Sequence, residues 1–252
     1  MNTTDSQIHG LALSVFIGVI GANAQVVTTL TANPTADTFV SSTNPNSNYG
    51  HAGALAVSGV FDSVLKFDLA SMKASLDATY GINGWNSIQS ITLTVTGFPG
   101  KVAAGFAAAA ATTVYADWLS DDSWTEGAGK PTAPGGTGLT YTLLNNTVLP
   151  AGHSFIGSFS WNGVASGTRT FQLDSQNQAG IYADIFAGST VSIRLYTQFG
   201  GSMVVNSEDY TAAGSHPFLS VSVVPEPAEV TTVVGGLLAV GAVIRRRYSR
   251  TS

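Results

Sequence analysis

The chain has 252 residues, no cysteine and a formal net charge of −5. With 10% charged and 44% hydrophobic residues, it has too much apolar material for a disordered chain and too little basic charge for a nucleic-acid surface. Disulfides, thiolate metal sites and a cysteine nucleophile are excluded outright, and the balance favours an exported, weakly charged β protein over a cytosolic enzyme.

The first element is an apolar run, Leu11 to Gly21, of signal-peptide length and too short for a comfortable bilayer span. Ala22-Asn23-Ala24 follows with small residues where a signal peptidase needs them, so residues 1–24 read as a signal peptide cleaved before Gln25. The front of this segment departs from the usual pattern, because Met1 to Gly10 holds Asp5 and neither Lys nor Arg.

Residues 25–224 read as a single all-β domain. Leu65, Phe67 and Leu69 alternate with Lys66 and Asp68, and Ile91, Leu93 and Val95 alternate with threonines. Val191, Ile193 and Leu195 alternate with Ser192, Arg194 and Tyr196, and Leu219, Val221 and Val223 alternate mainly with serines. Phe159 with Trp161 and Phe171 with Leu173 add two shorter patterns. Period two with β-branched and aromatic enrichment is the signature of half-buried strands. Turn residues separate these runs at Asn44-Pro45-Asn46, Gly81-Ile82-Asn83-Gly84, Pro134-Gly135-Gly136, Gly152-His153 and Gly200-Gly201. The expected fold is an antiparallel two-sheet β-sandwich, jelly-roll-like. A helix suits Ser71 to Ala78, while the alanine tract from Ala103 to Ala111 fits a helix, a strand or a loop.

Several short stretches carry a resemblance. Ala36-Asp37-Thr38-Phe39-Val40 leads to Asn46-Ser47-Asn48-Tyr49-Gly50, then to Val64-Leu65-Lys66-Phe67-Asp68-Leu69 and Ile88-Gln89-Ser90-Ile91-Thr92-Leu93. Asp122-Ser123-Trp124-Thr125-Glu126 comes later, and Ser207-Glu208-Asp209 and His216-Pro217 precede the last strand pattern. This order resembles the DNRLRE-type, disaggregatase-related β-sandwich modules of secreted bacterial proteins. Some of those are classed as carbohydrate-binding, so the resemblance implies a sandwich with a glycan partner.

Catalytic templates fail. Gly127-Ala128-Gly129-Lys130-Pro131 lacks the first glycine and the Ser/Thr of a phosphate loop, no GxSxG occurs, and no histidines have zinc-ligand spacing. No catalytic residue is assigned. The alternative is a secreted polysaccharide-active enzyme using Asp121, Asp122 and Glu126, since glycoside hydrolysis needs two carboxyl groups. For a metal, the oxygen-rich segments point to structural calcium, with Asp37, Glu208 and Asp209 as ligands near where first and last strands meet, and the Asn44 to Asn48 loop, Asp121, Asp122 and Glu126 as further candidates. For a glycan, Trp124 and Trp85 lie in polar, turn-like surroundings and are expected to be exposed stacking faces, with Tyr49 third.

The last element is the tail, residues 225–252. Pro225-Glu226-Pro227 is followed by an uncharged apolar run, Val230 to Ile244, and then by Arg245, Arg246 and Arg247. A helix of about 15 residues rises about 22 Å, short of the roughly 30 Å hydrocarbon core. Such a short transmembrane helix suits a temporary stop, with the arginines held on the cytoplasmic side. The composite resembles a PEP-CTERM sorting signal. That resemblance implies a Gram-negative exporter of extracellular polysaccharide, with processing by signal peptidase and exosortase and transient insertion in the inner membrane. The expected protein is a non-catalytic glycan-binding or structural part of the cell surface or extracellular matrix.

Overall fold

The computed structural model describes residues 27–224, except 83, 86, 100–109, 164–166, 175, 199 and 212–214. The expected signal peptide, the sorting tail with Pro225, Glu226, Pro227, Arg245, Arg246 and Arg247, and most of the alanine tract lie outside the described residues. Among the described residues no helix is long and apolar enough to cross a membrane.

The described chain is mostly β, in two antiparallel sheets. Eleven strands run in the order β1 (Thr28–Ala32), β2 (Pro34–Ser41), β3 (Ala54–Ser58), β4 (Phe61–Asp68), β5 (Ser87–Thr96), β6 (Ala111–Leu119), β7 (His153–Asn162), β8 (Thr168–Gln172), β9 (Thr190–Tyr196), β10 (Ser202–Asn206) and β11 (Phe218–Val224). The four-stranded sheet has the order β1-β11-β5-β8. The seven-stranded sheet runs β10-β3-β4-β9-β6-β7, with β2 also paired to β4. First and last strands are neighbours, with Leu30 opposite Val221.

The alternation explains the layering. Ile91, Leu93 and Val95 of β5 and Val221 of β11 turn inward, where they meet Leu65 and Phe67 of β4 and Ile193 and Leu195 of β9 in one core. Phe159 of β7 stacks on Phe171 of β8, tying the two sheets together at one edge. The outward positions of the smaller sheet carry hydroxyls that pair across strands, as Thr29 does with Ser222 and Thr94 with Thr170, each at 2.8 Å.

The helices cover the remaining core. The predicted helix forms as α1 (Ala70–Tyr80), which buries Met72 and Leu76. A helical stretch follows β6, built from α2 (Tyr141–Leu143), a π-helical turn (Leu144–Val148) and α3 (Leu149–Ala151). Thr140 starts it by accepting the Leu143 N–H at 3.2 Å, the usual role of an N-terminal hydroxyl. α4 (Ala179–Ala187) buries Ile181 and Ile185, a pair four residues apart on one helical face.

The excursion between β6 and β7 builds a second core on the outside of the larger sheet. Val40, Val64 and Leu119 project from the strands, and Trp124, Leu139, Leu144 and Val148 close over them. Each such side chain stabilises the fold by roughly 1.5–3 kcal/mol on burial. The excursion therefore roofs part of that sheet's outer face, and Tyr115 of β6, Phe155 of β7 and Tyr196 of β9 are not part of this core.

Candidate functional site

The expected stacking aromatics are not on the surface. Trp124 and Trp85 are each 3% exposed and Tyr49 is 5% exposed, which corrects the expectation that their faces are free for a sugar. Trp124 lies in the second core, donates Nε1–H to Ser192 Oγ at 3.0 Å, and has the Lys66 ammonium 4.3 Å from its ring centroid. Trp85 packs on Phe186 of α4 and donates Nε1–H to Asp77 Oδ1 at 2.8 Å. Tyr49 stacks on Phe39 with ring centroids 4.5 Å apart. The physical reason is shared: each large ring folds back onto the body, and each indole N–H finds a partner there, so burial carries no unpaired donor.

The expected metal residues are brought together in part. Asp37 of β2 is buried, and its Oδ2 accepts the backbone N–H of Glu208 at 2.7 Å, 171 residues away. The Asp37 N–H donates to Glu126 Oε1 at 3.3 Å, bringing in a residue that the sequence offers both to the enzymatic alternative and as a further calcium candidate. Asp209 is exposed and acts on both Asp37 and Glu126 through its charge. Burial pushes Asp37 well above the usual carboxylate range, and the backbone N–H of Glu208 pulls it back only in part. Burial also raises Glu126 to about 7, against the hydrogen bond from Asp37 and with added repulsion from Glu208 and Asp209. Glu208 itself is raised, first by burial and then by Asp209.

Asn48 explains how Glu126 comes to this place. Its side-chain amide donates to the carbonyls of Glu126 and Leu139, and its Oδ1 accepts the N–H groups of Gly50 and Gly129 at 3.0 and 3.3 Å. The Asn44 to Asn48 loop thus spends its buried amide on positioning the excursion, not on an ion. Gly127, at φ +80°, takes the left-handed turn that passes beneath it.

Asp121 and Asp122 belong to a different neighbourhood. Asp121 Oδ1 accepts the Ser123 N–H at 2.9 Å, and hydrogen bonds with Ser123 hold its carboxyl below the usual range. Lys66 donates to the carbonyls of Asp122 and Trp124, and burial raises the Asp122 carboxyl. Glu126 faces Asp37 while these two acids flank Lys66.

A different aromatic group stands on the unroofed part of the larger sheet. Tyr115 of β6 and Tyr196 of β9 are directly paired in register, and their rings stack with centroids 5.5 Å apart at 29°. Phe155 lies beside Tyr115 at 6.2 Å, and the Arg194 guanidinium sits 4.2 Å from the Tyr196 centroid. All three rings are half-buried. Arg194 is held from below by Asp62 at 2.7 Å and Asp117 at 3.5 Å, and the Tyr196 hydroxyl is hydrogen-bonded with Asp117. Burial raises the carboxyls of Asp62 and Asp117, and Arg194 draws both partly back. The sequence pattern had put Arg194 and Tyr196 on the polar side of β9. It could not show Tyr115 beside them, because that pairing joins strands some 80 residues apart.

No family model matches the chain, and no curated protein matches it. Among the described residues no three His, Cys, Asp or Glu side chains form a group that would by itself hold a metal ion.

Proposed function

We propose that this is an exported protein of the bacterial surface or extracellular matrix, whose jelly-roll-like sandwich binds a glycan without acting on it chemically. The two ends supply the addresses in this reading: residues 1–24 direct export, and residues 225–252, resembling a PEP-CTERM tail, direct sorting through exosortase. The pairing of first and last strands supports the jelly-roll arrangement. Intact-mass measurement on protein from the native host tests the addresses. A mature chain starting near Gln25 and lacking Arg245 to Ser252 is expected, and a chain retaining both ends overturns them.

The observation that carries the binding reading is the stacked Tyr115–Tyr196 pair beside Phe155 and Arg194. Half-buried rings give a sugar an apolar face, and fixed polar groups around them orient its hydroxyls. Arg194 already faces two carboxylates, so its charge is not free to attract a polyanion. A neutral or weakly acidic matrix polysaccharide fits best.

Binding to an array of neutral and uronic-acid polysaccharides tests this. Covering about 50 Å² of ring contributes about 1.3 kcal/mol, so Tyr115→Ala should weaken binding about tenfold. Undiminished binding by Tyr115→Ala, or no binding by the unaltered chain, removes the glycan role and leaves a structural one.

One observation favours the enzymatic alternative: Glu126, raised to about 7, has the character of a general acid. Its neighbour Asp37 is fully buried and has no surface with which to touch a substrate. Cleavage of a polysaccharide that Glu126→Gln abolishes would decide for the enzyme.

A further inference from the structure

One carboxylate of β2, Asp37, and two neutral side chains at the end of β10, Asn206 and Ser207, leave buried oxygen atoms without partners. Asp37 is 0% exposed, its Oδ2 is occupied by the Glu208 N–H, and its Oδ1 has no hydrogen-bond partner. Asn206 and Ser207, the two residues before Glu208, are equally buried, and Asn206 Oδ1 and Ser207 Oγ are likewise unpartnered. Glu126 closes the group from the excursion, with one oxygen on the Asp37 N–H. Buried polar atoms are nearly always satisfied, so orphans on Asp37 and on the two residues that precede its Glu208 partner call for an explanation.

Charge points the same way. Glu126, Glu208 and Asp209 all add negative potential at Asp37. The two cationic side chains of the larger sheet are spent elsewhere, Lys66 on the carbonyls of Asp122 and Trp124 and Arg194 on Asp62 and Asp117. His51 and His216 act on Glu208. An isolated buried carboxylate is too costly to persist without a compensating partner.

We propose that Asp37 and Glu126, completed by the neutral oxygens of Asn206 and Ser207, bind a calcium ion that locks the β6–β7 excursion to the turn after β10. The donors are all oxygen, the choice of a hard cation that accepts six to eight such ligands, waters included. Too few acidic side chains converge to bind the ion alone, so the neutral oxygens are essential. Glu208 contributes its backbone N–H to Asp37, and exposed Asp209 contributes charge at the rim. This set draws Glu126 from the further candidates of the sequence, adds Asn206 and Ser207, leaves Glu208 only its backbone N–H and moves Asp209 outward. It stands independently of the glycan reading, because its readout is thermal melting.

The experiment is melting of the full chain at neutral pH in EDTA, in millimolar calcium and in millimolar magnesium. When calcium exceeds its Kd a hundredfold, the melting temperature should rise by about 5–10 °C, with a smaller rise in magnesium, which gives up its water reluctantly. Asp37→Asn keeps the shape, removes the charge and should abolish the calcium response while melting in EDTA at or above the unaltered chain. Should Asp37→Asn not fold, Glu126→Gln gives the same readout. Equal melting in EDTA and calcium overturns the proposal and leaves a proton as the neutralising partner. A full calcium response in both variants overturns it too, by placing the ion elsewhere.

Discussion

Gly129 donates its backbone N–H to the side-chain oxygen of Asn48, 81 residues earlier, at 3.3 Å. The contact is close enough that a Cβ at position 129 would collide with the Asn48 carbonyl oxygen. Asn48 is fully buried and also holds Leu139 and Glu126, so one amide anchors both limbs of the excursion. Asn48→Ala leaves several buried backbone groups unpaired, each costing about 1–3 kcal/mol. The variant should lose roughly 2–4 kcal/mol of stability on that basis, read by urea denaturation. Gly129→Ala should be destabilising as well, because the obstacle is backbone. Wild-type stability in either variant would mean that the excursion docks without this anchor.

Trp124 fills the second core between the excursion and the larger sheet. Trp124→Ala removes the largest side chain there, and such truncations cost about 3–5 kcal/mol. Loss of the Lys66 contact adds to the cost at a site where Lys66 is partly buried. Thermal melting should therefore fall sharply for Trp124→Ala, whereas Tyr115→Ala, at the unroofed face, should shift it far less. The opposite ranking would mean that Trp124 is the surface ring and Tyr115 the core one.

The strand pattern carried much of the fold. Ile91, Leu93 and Val95 turn inward as their alternation implies, and the same holds for β4, β9 and β11. Asp37 and Glu208 do lie together as expected, but not where the first and last strands meet: β1 and β11 pair in the smaller sheet, whereas Asp37 belongs to β2 of the larger one and Glu208 follows β10. The aromatic expectations failed for a physical reason. Polar neighbours place a backbone segment in a loop, but they do not say which way an indole turns, and Trp124 and Trp85 both turn inward. α4 was not among the expected elements, and the apolar pair Ile181 and Ile185, four residues apart, was the signal for it. The stacked tyrosines required β6 and β9 to be neighbours, a long-range pairing that no local pattern encodes.

Arg194 offers a test of how charge is balanced inside the larger sheet. It bonds Asp62 through two guanidinium nitrogens, at 3.0 and 2.7 Å, and reaches Asp117 at 3.5 Å. Asp117 also feels His153 and the Tyr196 hydroxyl. Burial raises both carboxyls above their ordinary value of 3.8 even with the arginine present. A carboxyl raised on folding favours the folded state fully below its unfolded value, and that contribution disappears as pH climbs through the folded value. Arg194→Met removes the group that restrains the rise, so both values move higher and the acids are most costly at neutral pH. Removing one partner of a buried pair typically costs about 3–5 kcal/mol. That loss should be largest at pH 7–8 and should shrink toward pH 4, as protonation relieves the two unpaired carboxylates. Urea melts of both proteins across this range provide the measurement. A stability gap equally wide at both ends would show that the arginine contributes packing over Tyr196 rather than charge, and Arg194→Lys, which keeps the charge but not the planar stacking, would then be as destabilising as Arg194→Met.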